Sequence, residues 1–96
     1  MIRYHCWSDL LPTIEAALAA HGYRIEVPLQ KRSNGAGTMV MTHALTSVLL
    51  AQYPDNMALE IEIWGVDQPI VANLLESLPI PLHKQASPAI VVREGA

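Results

Sequence analysis

The sequence predicts a single α+β domain, spanning residues 1–96, built from a doubled β-α-β unit. Three observations carry this reading. Trp7 and Trp64 each close a strand-like run, and each stands five residues before a proline, Pro12 or Pro69, that opens a helix-like run. Each helix-like run is followed by a shorter apolar run, Tyr23 to Leu29 and Ala89 to Val92. Finally, 51% of the residues are hydrophobic and none is Phe, so one aliphatic core of Leu, Ile, Val, Ala and Met is expected.

The elements follow in order. Residues 2–7 alternate, with Ile2, Tyr4 and Cys6 on one face and Arg3, His5 and Trp7 on the other, as a half-buried strand does. Ser8 suits an N-cap, and Pro12 falls in the first turn, where its missing N–H is tolerated. Leu11, Ile14, Ala17, Leu18 and His21 recur at helical spacing, and Gly22 suits the position after the last turn. The spacing therefore predicts a helix over 9–21. Tyr23, Ile25, Val27 and Leu29 alternate with polar residues and Pro28, which places this strand at a sheet edge.

Residues 31–37 combine two cations with two glycines, but the Gly-Lys-Ser/Thr ending of a phosphate loop is absent, so a solvated turn around Asn34-Gly35 is expected. Residues 38–52 give mixed signals. Thr38, Val40 and Thr42 favour a strand. Met41, Ala44, Leu45, Val48 and Leu49 share one face of a helix. The expectation is an inserted strand at 38–42 and a helix at 43–52. Leu59, Ile61 and Ile63 alternate with Glu60, Glu62 and Trp64, giving a strand. Asp67 and Pro69 open a second helix, Pro79 stops it, and residues 88–93 form a last strand.

Two β-α-β units in series imply a ferredoxin-like arrangement, with both helices on one face of an antiparallel sheet and strands 2–7 and 57–64 adjacent in its middle. The other face then carries Arg3, His5, Trp7, Arg24, Glu26, Glu60, Glu62 and Trp64. Setting His5 opposite Glu62 places Arg3 opposite Trp64 and Trp7 opposite Glu60. In that register His5 bonds to Glu62, and Arg3 lies over the Trp64 ring.

Composition narrows the functions. A formal net charge of −3 disfavours a nucleic-acid backbone as partner. RNA-recognition motifs stack bases on aromatics from two central strands, and Trp7 and Trp64 resemble that placement. The family's Gly-Phe-type motif is missing, however, and Glu60 and Glu62 would repel phosphate. Cys6 is the single cysteine, Arg3, His5 and Asp9 interrupt any apolar leader, and no apolar run approaches bilayer length. A cytoplasmic, non-membrane protein is expected.

His5, Cys6, His21, His43 and His83 lack zinc-ligand spacing, so no metal and no cofactor is expected, and Cys6 reads as a core residue. The chain has no nucleophile elbow, zincin or dinucleotide motif, and no catalytic residue is assigned. The candidate binding residues are Trp7, Trp64, His5, Glu62 and Arg3. Tryptophan is costly to leave wet and is enriched in interface cores. The leading expectation is a homodimerising interaction or regulatory domain. The second is a small-molecule binder or enzyme with a cavity at the dimer interface. The stretch 57–78, a strand ending in Trp-Gly and then an amphipathic helix, resembles small phage tail-completion proteins, which implies a structural assembly subunit as a third.

Overall fold

The computed structural model describes residues 1–54 and 58–85. Six strands and two helices follow one another as β1 (Ile2–Trp7), α1 (Leu11–Ala20), β2 (Arg24–Val27), β3 (Gly37–His43), β4 (Thr46–Gln52), β5 (Ala58–Gly65), α2 (Gln68–Glu76) and β6 (His83–Lys84). A short 3-10 turn, Ser8–Leu10, precedes α1 and moves the helix N-cap to Leu10. The strands form one sheet in the order β2-β3-β4-β5-β1-β6, every neighbour antiparallel. The strand expected at 88–93 lies outside the described residues.

Alternation builds the core. Tyr4 and Cys6 of β1, Met39 and Met41 of β3, Val48 and Leu50 of β4, and Leu59, Ile61 and Ile63 of β5 are buried on one face. They form one cluster with Leu11, Ile14 and Leu18 of α1 and Val71, Ala72 and Leu75 of α2. Both helices therefore cover the same face, each presenting an apolar stripe at helical spacing. Pro12 and Pro69 sit in the first turns, as expected. Asp67 occupies the N-cap of α2 without a side-chain cap bond; its backbone N–H instead donates to Thr46 Oγ1 at 2.9 Å.

Two expectations are corrected, and a third is not established. The helix expected at 43–52 is strand β4, joined to β3 by a two-residue turn with Ala44 at φ 53°. The cause is visible in β4 itself. Thr46, Val48 and Leu50 point into the core, while Leu49 and Ala51 point to the other face. A strand apolar on both faces loses its period of two and mimics a helix.

The register between β1 and β5 is also shifted by two residues. Arg3 pairs with Glu62, His5 with Glu60 and Trp7 with Ala58. A two-residue shift keeps every side chain on its own face, so alternation does not choose between the two registers. The observed one brackets Arg3 between two carboxylates. Lastly, three strands, β5, β4 and β3, separate β1 from β2. A plain ferredoxin-like sheet would place one there, so that arrangement is not established. What stands is an α+β domain with a six-stranded antiparallel sheet and two helices.

Edge strand β2 is shorter than the alternation of Tyr23 to Leu29 implies and is exposed along its length, with a register shift between Ile25 and Val27. Ile25 points to the helix side but lies beyond the helices' reach. Pro28 ends it at the sheet edge, as its missing donor requires.

Candidate functional site

The sheet face opposite the helices contributes nothing to the core cluster. Cross-strand pairing arranges this face in rows. One row runs Val27, Val40, Leu49, Glu62, Arg3 from β2 to β1. The next runs Thr38, Ala51, Glu60, His5, His83 from β3 to β6. A third runs Arg24, Thr42, Ser47, Trp64. The face is thus divided. The β2–β4 half of the first row is aliphatic, and the β5–β1 half is charged.

The charged half is one connected network. Arg3 Nη2 meets Glu62 Oε2 at 3.1 Å, and Arg3 Nε meets Glu60 Oε2 at 3.4 Å. The Nε contact is an ion pair without hydrogen-bond alignment, so Nε is buried without a hydrogen-bond partner. Trp64 Nε1 donates to Glu62 Oε1 at 3.2 Å, and the Tyr53 hydroxyl donates to Glu60 Oε1 at 3.0 Å. Two carboxylates against one guanidinium leave a formal charge of −1, and the half-covered setting makes these bonds stronger than open-surface pairs.

Of the five candidate residues, the structure brings Arg3, Glu62 and Trp64 into this network. The Arg3–Trp64 stack is replaced by ion pairs and by the indole–carboxylate bond. The expected His5–Glu62 bond is absent too. His5 instead stacks on His83, its Cα partner in β6, with ring centroids 5.3 Å apart and planes 20° apart. The Gln85 amide lies 2.9 Å from His5 Nδ1. Trp7 stands apart from the network and is 60% exposed; Trp64 is 50% exposed. With Pro81 and His83, Trp7 walls a mainly apolar pocket of about 260 Å³.

Sequence reasoning missed Tyr53, His83 and Gln85 as members of this surface, and did not name Glu60 among the binding candidates. The alternation of β5 already placed Glu60 on the face. Nothing in the two-residue β6, which follows Pro81, marks it as a strand. Leu49 was missed as a surface residue because the helix-like spacing of β4 conceals its second face, and Val40 because the short run 38–42 does not show which side meets the core.

Among the described residues, no group of three or more His, Cys, Asp or Glu could hold a metal ion. Cys6 points away from His5 into the core. Burial, with a smaller contribution from the Asp9 charge, pushes its thiol up to about 11 from an ordinary 9.0. A rise of that size cuts the thiolate fraction about 100-fold at neutral pH. Iodoacetamide should therefore alkylate Cys6 about 100-fold more slowly in the native protein than in urea. Equal rates would show an accessible, activated thiol.

The tyrosines bind the scaffold together. The Tyr4 hydroxyl donates to Glu76, tying β1 to the last turn of α2. Burial first, then this bond and the Glu76 charge, hold its phenol well above the ordinary 10.0. Tyr23 is raised by burial and by Asp67, against a lowering hydrogen bond from Thr46, and its ring tilts on His43. Tyr53 is raised by burial and by its bond to Glu60. Each raised phenol stabilises the fold fully below pH 10, and that stabilisation is lost as pH rises above 10. At pH 10, absorbance at 295 nm should show less tyrosinate in the folded protein than in the urea-unfolded chain, and stability should fall above that pH. Equal tyrosinate in the two states would contradict these assignments.

No helix among the described residues is long and apolar enough to cross a membrane. Comparison with protein-family models, with curated proteins and with solved structures finds no match to this chain.

Proposed function

We propose that this protein is a self-associating interaction module whose helix-free sheet face packs against the same face of a second copy. One observation carries the reading: Leu49, at the middle of an interior strand, lies on that face between Val40 and the Glu62–Arg3 pair. A solvated sheet face is expected to be polar at such positions. Here Val27, Val40, Leu49 and Ala51 make an aliphatic strip instead.

A homodimer by two-fold symmetry needs a self-complementary patch. A two-fold axis through Leu49 lays aliphatic strip on aliphatic strip. It also moves the like-charged Glu60–Arg3–Glu62 networks of the two copies apart, towards the rim. Trp64, half exposed at the end of β5, borders the same strip and gains cover from the partner.

In this reading Arg3, Glu60 and Glu62 set register and exclude wrong partners, and the apolar strip supplies affinity. A heterologous protein partner would use the same face in competition with the dimer. A cytoplasmic home suits the free thiol of Cys6. We read the topology itself as a ferredoxin-like unit enlarged by the β3–β4 hairpin. Substituting Leu49 by Asp and measuring solution mass tests the proposal, because a charge at the strip's centre leaves the core untouched.

A further inference from the structure

A groove of about 530 Å³ opens at the β2–β3 end of the sheet, beside the aliphatic strip. Its apolar surface comes from Val27, Pro28, Ala51 and Pro54. Its charge comes from Lys31 and Arg32, with the amides of Gln30 and Gln52 and the Thr38 hydroxyl between them. No carboxylate lines it among the described residues. Glu60 lies beyond Ala51 in the same row and is engaged by Tyr53 and Arg3. On a chain with a formal net charge of −3, two consecutive cations, with no carboxylate among the described lining residues, make a local region of opposite sign.

The wall of this groove is a built element. Arg32 N–H donates to the Ala36 carbonyl at 2.7 Å, and Gly35 N–H to the Arg32 carbonyl at 2.9 Å. The Asn34 side chain accepts from Ala36 N–H at 3.0 Å. Gly37 lets the incoming chain lie close. A Cβ there would meet the Gln30 carbonyl oxygen at 2.9 Å and Leu29 Cδ1 at 3.1 Å. The two glycines and the Asn-Gly dipeptide therefore shape a braced wall that holds Lys31 and Arg32 at the groove.

We propose that this groove binds a small organic anion, a carboxylate or phosphate head on an apolar ring or short chain. Its volume falls in the range of small-molecule sites, and apolar walls with a few placed polar groups are how such sites work. The head sits against Lys31 and Arg32, and the guanidinium takes two oxygens at once. The body lies on Val27, Ala51 and Pro54. The cations and walls of this site all come from one chain, but Val27 and Ala51 also belong to the aliphatic strip, so a second copy seated on that strip competes with the ligand.

The test is an NMR titration of the intact 15N-labelled protein with benzoate and with phenyl phosphate, beside inorganic phosphate and benzyl alcohol. The proposal expects saturable shifts centred on residues 27–38 and 51–54, and confined to them in Leu49→Asp. At least one aromatic anion should bind about tenfold or more tightly than either control. Which of the two wins identifies the head group. The double variant K31A/R32A should lose about tenfold or more, as expected for charge-assisted contacts. Gly37→Val, which keeps both cations but displaces the wall, should lose a comparable factor while its spectrum stays dispersed. A Leu49→Asp variant, freed of that competition, should bind at least as tightly as the wild type. If inorganic phosphate binds as tightly as phenyl phosphate, or if Gly37→Val binds unchanged, the contact is a counterion at two surface cations and the proposal fails. Absence of saturable binding at millimolar ligand overturns it as well.

Discussion

Replacing Gly65 by Ala is expected to destabilise the protein by about 4 kcal/mol or more, because two separate costs fall on one residue. Gly65 ends β5 with φ 119°, a backbone conformation that side-chain-bearing residues rarely adopt. Holding such a conformation costs about 1–3 kcal/mol. The second cost is steric. A Cβ at Gly65 would stand 2.2 Å from the Leu45 carbonyl oxygen and 2.6 Å from Thr46 Cα. Both obstacles are backbone, so no side-chain rotation relieves them, and the β3–β4 turn has to move.

That turn is not free to move. Thr46 pairs with Gly65 in the sheet, and its buried hydroxyl accepts the Asp67 N–H that leads into α2. Displacing it loosens the start of β4 and the entry to α2 together. For a domain of this size, 4 kcal/mol corresponds to a fall in Tm of roughly 15–30 °C. Thermal unfolding followed by circular dichroism measures it. A loss below about 1 kcal/mol would mean that the close approach of Leu45 and Gly65 is not a fixed feature of the fold.

Much of this architecture was legible from particular residues. The alternation of Leu59, Ile61 and Ile63 against Glu60, Glu62 and Trp64 marked β5, and Tyr4 with Cys6 marked β1. Pro12 and Pro69 placed the starts of α1 and α2 because proline is tolerated only there in a helix. The adjacency of β1 and β5 followed from treating the two units as a pair. Their register did not. Both registers keep each side chain on its own face, and Arg3 between Glu60 and Glu62 distinguishes them only when three side chains are seen together. His83 escaped because a two-residue strand after Pro81 carries no periodic signal.

The helix-like pattern of β4 has a more informative cause. Solvent contact normally imposes a polar residue at every second position of a strand, and that alternation is what identifies it. Leu49 and Ala51 remove the alternation because they are apolar on a face with no helix over it. The feature that disguised the strand is thus the feature that marks the proposed interface. Trp7 and Trp64 drew attention to the helix-free face. The affinity is assigned to the aliphatic strip beside them, with Trp64 at its border.

Leu49→Asp is accordingly expected to have the largest effect on association. The substitution puts a carboxylate at the centre of the aliphatic strip, beside Glu62 of its own sheet. In the dimer that charge would be desolvated without a partner cation, and by symmetry two such charges would face each other. Changes of this kind at an interface centre cost about 2–4 kcal/mol or more, which weakens association about 30-fold to 1,000-fold. The monomer itself should remain folded, since the core side of β4 consists of Thr46, Val48 and Leu50. Trp64 fluorescence should shift to the red as the partner's cover is lost.

Size-exclusion chromatography with light scattering on the wild type and on Leu49→Asp, at tens of micromolar, tests self-association through the helix-free face most directly. The wild type is expected at twice its 10.5 kDa chain mass and the folded variant at the chain mass. A monomeric wild type, or a Leu49→Asp variant that keeps the doubled mass, would contradict it.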